Sequence, residues 1–439
     1  MQKHVVVIGG GIAGTGAAYA LRQRGYAVTI VEKDGRLGGR ICSETAGSAD
    51  VEMGAGFITK GYRNLRAFLQ ATGLHRQLYS QPGTSGVLRG GTINLATMGS
   101  LAGNSALSWR AKLQALPLLL RVLGGWRRLD MQAPWRAAAY DTKSAADMFT
   151  GRGGKEFLEY VVQPILNGYF YWTPEQTSQA MVLVIVKAML LGGTQKLRGG
   201  LRQIPQKAAE GCKVLLNHSA ANVHRQADGT FTITATRGTK KVTLQADGVV
   251  CATTASAVPK IIAGLNSVQK KFFESISYSS TVVFAQTYGP NQTCSNTGLA
   301  FPRAEGSSLA AVTVSAGPGS TKPLGTVKAY ASGASGARLI GQTDKAIAAS
   351  LTAAIEPIRS LVVPSKAAPK FTHLQRWPEA LPMFCTGHFQ KLRTFAQGGI
   401  ENPGHALVFA GDYLGGPFME GAFTSGLLAA ERLDRRLTP

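Results

Sequence analysis

A short apolar run near the start of the chain breaks into a glycine-rich turn. The run from Val5 to Ile8 is typical of a buried strand, and Gly9, Gly11 and Gly14 follow it with the spacing G-x-G-x-x-G. The first glycine permits a tight turn, the second lets the backbone approach a pyrophosphate, and the third lets the next helix pack closely on the strand. Because the N-terminus of that helix offers free N–H groups and a positive dipole end, this start predicts a dinucleotide-binding fold.

The residues after the turn agree with this interpretation. Small and apolar residues recur at helical spacing from Ala13 to Leu21, and Gly25 is a natural helix stop. A second apolar run, 27–31, ends at Glu32, whose carboxylate can accept both hydroxyls of a ribose and disfavours a 2′-phosphate. A glycine triplet alone is weak in a chain with 53 glycines, but strand, turn, helix, strand and acid in this order make a specific signal.

Two segments that follow Glu32 indicate which dinucleotide cofactor the chain binds. Residues 34–40 read DGRLGGR and residues 50–57 read DVEMGAGF. Here the chain resembles the flavin-containing amine oxidase superfamily, which includes monoamine and polyamine oxidases, protoporphyrinogen oxidases and phytoene desaturases. The resemblance implies that Arg40 contacts the pyrophosphate of FAD, where a guanidinium can fork onto phosphate, and that residues 54–57 run close to the flavin ring.

The resemblance returns near the C-terminus, in residues 406–412 (ALVFAGD) and 416–426 (GPFMEGAFTSG). It implies that Gly411 and Asp412 lie beside the ribityl chain and pyrophosphate, and that the backbone after Phe418 meets the isoalloxazine. A helix N-terminus there would stabilise the negative charge of a reduced flavin. A run of short strands from 214 to 252 implies that Val223 clamps the adenine by backbone contacts. The implied FAD-binding residues are Gly9, Gly11, Ile12, Ala13, Gly14, Glu32, Lys33, Gly39, Arg40, Gly54, Ala55, Gly56, Phe57, Val223, Gly411, Asp412, Met419, Gly421 and Ala422.

The predicted fold class is α/β, with a Rossmann-like FAD-binding domain and an interleaved substrate-binding domain of mixed sheet and helices. The length of 439 residues suggests about three domains, but two suffice when one is built from distant segments. We expect the FAD-binding domain to use residues 1–80, 195–270 and 385–439, and the substrate-binding domain to use 81–194 and 271–384. Residues 315–341 are rich in Gly, Ala and Ser and are expected to include loops.

Cysteine usage and the chain start predict the compartment. The cysteines Cys42, Cys212, Cys251, Cys294 and Cys385 form no C-x-x-C pair, which favours a reducing environment over disulfides or zinc. The first strand begins at Val5 and leaves no room for a signal peptide, so we expect a cytoplasmic protein without a bound metal. The sequence leaves the oligomeric state open.

The net charge of +23 is unevenly spread. From Met53 to Tyr140 there are eleven Lys or Arg and a single acid, Asp130, together with the tryptophans Trp109, Trp126 and Trp135. Three interpretations remain open. The segment can be a helical cap with a solvated basic face, a peripheral membrane contact through residues 105–136 on the inner face of a membrane, or a field that steers a carboxylate-bearing substrate.

The chemistry is assigned to the flavin, because no HExxH, no G-x-S-x-G and no paired carboxylates offer a hydrolytic or metal-based alternative. Amine-oxidising relatives often place a lysine beside the flavin N5, and aligning residues 280–288 on that strand puts Phe284 at the lysine position. The motif RWPEALP around Trp377, with Gly387 and His388 following, is closer to the protoporphyrinogen oxidase and phytoene desaturase-like branch. Phe284, Trp377 and Phe418 are therefore candidates for an apolar substrate pocket.

Further candidate pocket residues are cations. Lys187 lies in an otherwise apolar segment, 180–191, that predicts a buried helix, and it either faces the site or reaches the surface. Lys196 and Arg198 precede a Gly-Gly pair and are candidate substrate-side cations. His388 is expected to start or cap a helix rather than transfer protons.

The sequence thus predicts an FAD-dependent oxidoreductase that removes hydride equivalents from a hydrophobic, conjugated or nitrogen-containing small molecule, with no nucleic-acid partner. Three alternatives stay open. They are an amine oxidase without the usual flavin-site lysine, a non-redox flavin-bound isomerase or cyclase, and a member that holds FAD without turnover.

Overall fold

The structure is a computed structural model that describes residues 2–80, 83–96, 107–293, 296–316, 324–364 and 367–438. The strands in these ranges are β1 His4–Ile8, β2 Ala27–Val31, β3 Ser43–Ala46, β4 Ala49–Glu52, β5 Ile58–Thr59, β6 Leu78–Ser80, β7 Thr84–Arg89, β8 Thr92–Ala96, β9 Thr194–Leu197, β10 Lys213–Leu215, β11 Ser219–Arg225, β12 Phe231–Arg237, β13 Lys240–Ala246, β14 Gly248–Cys251, β15 Thr281–Pro290, β16 Thr297–Ala300, β17 Leu309–Ala316, β18 Leu324–Ala331, β19 Phe371–Trp377 and β20 Leu407–Phe409. The α-helices are α1 Ile12–Gln23, α2 Asn64–Ala71, α3 Trp109–Lys112, α4 Ala115–Gly124, α5 Gly151–Phe157, α6 Gln163–Phe170, α7 Gln179–Leu190, α8 Gln203–Ala208, α9 Val258–Ile261, α10 Ser267–Glu274, α11 Gly333–Leu339, α12 Asp344–Ile355, α13 Arg359–Val362, α14 His388–Ala396, α15 Asp412–Gly415 and α16 Met419–Leu437.

A parallel sheet gathers strands from distant parts of the chain, in the order β10-β2-β1-β14-β20. Its central strands read as continuous apolar runs because both faces are covered, and Val5, Val6 and Val7 are fully buried. Helices α1 and α16 cross over this sheet at close range. A Cβ on Gly426 would lie 2.1 Å from the carbonyl oxygen of Ala13, so the small residues of α16 are what let the two backbones meet.

A second, mixed sheet has the order β19-β15-β18-β17-β16-β7-β8, and the pair β16–β7 is parallel while the others are antiparallel. Side chains alternate between its two faces. One face packs in a core with α12, where Val327 and Ala329 lie. The other face, with Val283 and Ala285, packs on the β3–β4 hairpin. This second face looks towards the parallel sheet's carboxyl edge and forms part of the site described below.

The structure agrees with the predicted α/β class, and α7 is buried along most of its length, as its composition predicts. Within 315–341, residues 324–331 form β18 and residues 333–339 form α11, with a loop residue at 332 and a turn at 340–341, while 317–323 lie outside the described residues. The strands of the parallel sheet fall in 4–31, 213–251 and 407–409, but the domain boundaries themselves stay a prediction.

Four cysteines, Cys42, Cys212, Cys251 and Cys385, are free thiols, and Cys294 lies outside the described residues. Across the ranges that the structure describes, no helix combines the length and the apolar character needed to span a bilayer.

Candidate active site

A cavity of about 2400 Å³ opens at the carboxyl edge of the parallel sheet. Ile8, Val31 and Ala252 mark the ends of the strands that meet there. Open α/β sheets bind ligands at this edge, and single small-molecule sites are typically about 300–1,000 Å³. The cavity therefore has room for a dinucleotide and a second molecule. We call its two ends the glycine end, around Gly11, and the aromatic end, around Tyr330.

The glycine turn has one position with open space. Gly9 has φ +101°, and a Cβ on Gly14 would lie 1.9 Å from the carbonyl oxygen of Gly9, so both are required by the turn itself. A Cβ on Gly11 would meet no atom within 4 Å. Gly11 is also the N-cap of α1, with no side-chain cap. This leaves N–H groups at the start of a twelve-residue helix facing an open space of the kind that a phosphate occupies.

Glu32 closes the glycine end. Its carboxylate oxygens accept hydrogen bonds from the backbone N–H of Gly10 at 2.6 Å and of Asp34 at 2.8 Å. Burial raises the pKa of this carboxyl group, while the two N–H donors oppose the shift. Each carboxylate oxygen has a second lone pair, so Glu32 can hold the turn and accept ribose hydroxyls at once.

Arg40 and Asp412 are 372 residues apart in the chain and form a two-pronged ion pair, with N–O distances of 2.6 and 3.0 Å. Arg40 also donates to the carbonyl oxygen of Ala380 at 3.2 Å. Asp412 is nearly buried and Arg40 partly exposed, and both line the cavity. The two motif segments that the sequence singles out are thus joined directly at the cavity wall.

Most of the predicted FAD-binding residues line this one cavity. They are Gly9, Gly11, Ile12, Ala13, Glu32, Lys33, Gly39, Arg40, Gly54, Ala55, Gly56, Phe57, Gly411, Asp412, Met419 and Ala422. Gly14 and Gly421 lie behind the wall, and a Cβ on Gly421 would be 2.1 Å from the carbonyl oxygen of Gly415. Their role is close backbone packing.

Val223 requires a correction. Its side chain is buried in the core, and its carbonyl oxygen accepts from the N–H of Ala263 at 3.0 Å. Ser219 and Ala220, at the start of β11, line the cavity instead. The pairing register shifts between Ala220 and Asn222, and β11 then leads away from the cavity. The backbone position expected to face an adenine is therefore three residues earlier than the sequence motif indicates.

Glu420 joins the start of α16 to the start of α2 and was not singled out from the sequence. Its side chain is fully buried and accepts from the backbone N–H groups of Arg63 at 3.0 Å, Asn64 at 2.8 Å and Leu65 at 2.9 Å. The amide of Gln132 donates to it as well. A carboxylate at the first N–H groups of α2 satisfies donors that a helix start leaves unpaired. Glu420 thereby fixes the loop before α16 against the start of α2.

The aromatic end is built from rings on several elements, namely Phe57, Tyr169, Phe170, Tyr171, Tyr330, Trp377 and Phe418. Phe57 meets Tyr169 edge to face with ring centres 6.0 Å apart, and Phe170 meets Phe418 in the same way at 5.8 Å. The indole N–H of Trp377 donates to the carbonyl oxygen of Met53 at 2.8 Å. Trp377 and Phe418 thus lie in the cavity wall, where the sequence analysis expects them.

Phe284 does not face the cavity, which corrects the expected pocket. It is buried in the core on the opposite face of the mixed sheet, beside Val327 and Ala329. Its neighbours Val283 and Ala285 are the β15 residues that face the site. Because side chains alternate along a strand, an alignment that slips by one residue exchanges the two faces.

A lysine does lie on the site face, but on the neighbouring strand. Lys328 of β18 is paired with Ala285 of β15, is buried, and lines the cavity. Its ammonium donates to the carbonyl oxygen of Glu52 at 2.9 Å. No motif marked Lys328, although a charged residue in the otherwise apolar stretch 324–331 is a signal that could have done so.

The other candidate cations are placed as follows. Lys187 points away from the cavity, donates to the carbonyl oxygen of Trp126 at 2.7 Å and lies over its ring. Arg198 lies over the ring of Tyr79 and lines a smaller recess rather than the main cavity. Lys196 lines both.

His388 begins α14, as the sequence predicts. It is buried, its Nε2 lies 3.1 Å from the carbonyl oxygen of Tyr413, and burial lowers its pKa to about 4. It does not line the cavity among the described residues.

The open space at Gly11 and the uncapped start of α1 fit the phosphates of a dinucleotide, and Glu32 at the end of β2 fits its ribose. The cavity is long enough for a second ligand beyond it. Fold and site together define a dinucleotide-dependent oxidoreductase.

Comparison with known proteins gives the family. A profile of the flavin containing amine oxidoreductases matches residues 12–434, and the chain belongs to this family. It is an FAD-dependent oxidoreductase.

Two curated relatives and one solved structure are similar to the chain. The coproporphyrinogen III oxidase of Bacillus subtilis is 22% identical over 468 aligned residues, covering 96% of this chain and 94% of that protein. Protoporphyrinogen oxidase 2 of Arabidopsis thaliana is 29% identical over 182 residues, but the match covers 40% of this chain and 34% of the plant enzyme. The structure of cyclohexylamine oxidase from Brevibacterium oxydans shares the fold with a TM-score of 0.77 and 20% identity, and the match covers 100% of both chains.

Proposed function

We propose that this enzyme oxidises a porphyrinogen, a flat, acid-bearing tetrapyrrole precursor, at the aromatic end of the cavity. The observation that carries this proposal is the combination of an aromatic wall with lysines that form no ion pair among the described residues. The acids that line the cavity are Glu32, Asp34, Glu379 and Asp412, and all of them lie around the glycine end and Arg40. The cations Lys60, Lys196 and Lys328 also line it. Such a lining suits a large ring system with carboxylates.

The relatives support the same substrate class. Porphyrinogens are named in the activity of the Bacillus subtilis relative, which aligns along nearly the whole chain, and in that of the plant relative. A desaturase-like substrate has weaker support, because the match to 4,4'-diaponeurosporene oxygenase of Staphylococcus aureus covers 14% of this chain.

The protein's own residues bind, orient and shield the substrate. FAD, when bound, accepts a hydride or its equivalent from a C–H bond of the substrate. Phe57, Tyr169 and Phe418 offer ring faces and edges against which a flat macrocycle can stack. Trp377, anchored on Met53, holds the strand that leads into residues 54–57. The proton released with each hydride passes to solvent or to the next acceptor, and the electrons leave through an external oxidant.

Anaerobic reduction of the flavin tests the proposal. Purified FAD-loaded enzyme is mixed with coproporphyrinogen III, protoporphyrinogen IX, cyclohexylamine or a polyene, and the flavin absorbance is followed. We expect bleaching by a porphyrinogen with appearance of the porphyrin spectrum, and recovery in air if oxygen is the acceptor. Bleaching by the amine or by the polyene, with no bleaching by either porphyrinogen, would overturn the assignment.

An amine oxidase is the second candidate, and Lys328 is the observation that favours it. Amine-oxidising relatives often have a lysine beside the flavin, and Lys328 supplies a lysine on the face of the sheet that meets the site. The same charge argues against it. Amines are cationic near neutral pH, and Lys196 and Lys328 would repel them in a poorly solvated cavity. An isomerase or cyclase, or a protein that holds FAD without turnover, predicts no bleaching by any compound in the panel.

We also propose a peripheral contact with an anionic membrane through α3, α4 and the turn that follows. Leu116, Leu120 and Leu123 are about 60% exposed on one side of α4, and Leu118 and Leu119 line the cavity on the other. The exposed arginines nearby, Arg110, Arg121, Arg127 and Arg128, complement anionic headgroups. Residues 105 and 106 of the predicted segment lie outside the described residues.

Flotation with phosphatidylglycerol-containing vesicles tests this contact. We expect the wild type to float at low salt, Leu120→Ser to float much less, and Leu361→Ser, which changes an exposed leucine on α13, to behave like the wild type. Wild-type protein that stays in the soluble fraction would overturn the proposal.

A further inference from the structure

Two lysines from different sheets converge beside the aromatic end. Lys196 lies on β9, paired with Tyr79 of β6, and Lys328 lies on β18 of the mixed sheet. Both lysines line the main cavity. They also line a smaller adjoining recess, whose lining includes Glu52 and Arg198. The charge of Lys328 contributes to lowering the pKa of Lys196.

The two ammonium groups differ in their partners. Lys328 is buried, donates to the carbonyl oxygen of Glu52 at 2.9 Å and lies over the ring of Tyr330. Lys196 is half-buried and has no hydrogen-bond or ion-pair partner among the residues that the structure describes. Burial and the neighbouring Lys328 lower the pKa of Lys196 to about 7.

The carboxylate of Glu52 offsets the charge of this pair only in part, because its attraction raises the pKa of Lys196 by less than burial and Lys328 lower it. One carboxylate oxygen of Glu52 accepts from the backbone N–H of Leu201 at 2.8 Å, and the other accepts from the hydroxyl of Ser43 at 2.7 Å. Neither oxygen forms an ion pair with Lys196 or Lys328 within the described ranges. Two poorly solvated cations whose charge a single carboxylate offsets only in part are unfavourable on their own, and an anion between them would relieve the repulsion.

We propose that Lys196 and Lys328 form an anion-binding subsite that receives a carboxylate of the substrate and orients the macrocycle against the aromatic wall. This inference rests on the proposed function and deepens it, because it requires an acid-bearing substrate. It assigns Lys328 to substrate binding and distinguishes acids from their neutral esters. In this proposal neither lysine transfers a proton or a hydride.

Equilibrium binding to the oxidised holoenzyme tests the subsite without turnover. Coproporphyrin III, the oxidised form of the proposed substrate, and its tetramethyl ester are titrated while the flavin spectrum is followed. The variants are Lys196→Met and Lys328→Met, with Lys187→Met as the matched control because its ammonium lies outside the cavity. Lys196→Arg retains the charge, and it also serves if Lys328→Met, which loses a buried hydrogen bond, does not fold.

We expect both cavity variants to weaken binding of the acid roughly tenfold or more, to leave the ester unchanged, and Lys196→Arg to bind the acid almost as well as the wild type. An equal loss for acid and ester, or no loss for either, would overturn the subsite.

A second probe separates this inference from the proposed function. If no porphyrin binds to the wild type, benzoate and benzamide are titrated in the same way. Benzoate binding that depends on Lys196 would uphold the subsite while the porphyrinogen assignment falls. Absence of benzoate binding would overturn the subsite as well.

Discussion

The two ends of the cavity are made in different ways. The glycine end consists of backbone and small residues from short segments, each readable as a local motif, and its charges are paired, as in Arg40 with Asp412. The aromatic end is assembled from single side chains on β9, β18, β19 and α6, and among the described residues Lys196 and Lys328 form no ion pair with an acid. A cofactor common to a family requires a fixed cradle, whereas a substrate site is set by individual side chains on a shared frame.

Filling the open space at Gly11 is the change expected to have the largest effect. In Gly11→Val the new side chain would occupy the open space at the start of α1, where a pyrophosphate has to approach the backbone. We expect FAD affinity to fall by roughly tenfold or more, since each 1.4 kcal/mol of lost contact is a factor of ten, and the protein to purify nearly colourless. The ratio of flavin absorbance to protein absorbance measures this.

The control for that experiment is Gly341→Val, at an exposed turn where a Cβ also meets nothing within 4 Å. It should keep full FAD content. If Gly11→Val also kept its FAD, the glycine end would not be the phosphate site, and the contrast between the two ends would fail.

Removing the buried acid that joins α16 to the start of α2 is the next largest change. Glu420→Ala would leave the N–H groups of Arg63, Asn64 and Leu65 without their acceptor. Each buried donor left unsatisfied costs about 1–3 kcal/mol, so we expect the free energy of unfolding to fall by about 3 kcal/mol or more. Urea unfolding of the FAD-loaded protein measures it.

Glu431→Ala, in the same helix but exposed and paired only with Arg435, is the matched control and should change stability by less than about 0.5 kcal/mol. A loss of similar size in both variants would mean that the hydrogen bonds from α2 to Glu420 make no specific contribution to stability.

The glycine end was predictable because the residues that form it lie in short consecutive segments of the chain. The turn at Gly9 to Gly14, Glu32, and the two segments around Arg40 and Met419 each carry a motif, and the structure brings nearly all of them to one cavity. The α/β class follows from the same strand–helix–strand start. Val223 lies in the core instead, because Ser219 and Ala220 are the β11 residues that line the cavity, and no motif in the sequence marks where β11 leaves it.

The substrate half could not be predicted in the same way. The position of Phe284 depends on which strand face meets the core, and a one-residue slip reverses it. Lys328, Tyr169 and Tyr330 lie on elements that the motifs do not mark, and Glu420 acts on a helix more than 350 residues away. These are long-range contacts that only the fold defines.

A pair of aromatic substitutions compares the two faces of the mixed sheet. Phe284→Leu removes ring volume from the core that faces away from the site, and we expect a stability loss of about 1 kcal/mol with unchanged kcat/KM. Trp377→Phe removes the hydrogen bond to Met53 and part of the cavity wall. We expect it to lower kcat/KM several-fold with a smaller loss of stability. Steady-state kinetics and urea unfolding of both variants measure this, and a larger kinetic effect from Phe284→Leu would restore that residue to the pocket.

The smallest expected effect is the pH dependence that the unpaired lysine imposes on the aromatic end. Lys196 faces Lys328 from β18, Glu52 from β4 and Tyr79 from β6, and its folded pKa of about 7 lies below the ordinary value of 10.5. Between these two values the unfolded chain holds a proton that the folded chain has lost. The free energy of unfolding should therefore fall as the pH drops from 10.5 to 7 and change no further through this group at lower pH.

Comparing the wild type with Lys196→Met at each pH isolates this contribution, because the other lysines and tyrosines titrate in both proteins. We expect this difference in the free energy of unfolding to be smaller than a pKa shift of this size would give for a fully buried group, since water reaches part of the side chain and screens its charge. A bound anion favours the protonated lysine and should flatten the dependence, so saturating benzoate should make the two proteins respond to pH more alike. A difference that is independent of pH would mean that Lys196 keeps its proton in the folded chain, and that the aromatic end is no less well compensated in charge than the glycine end.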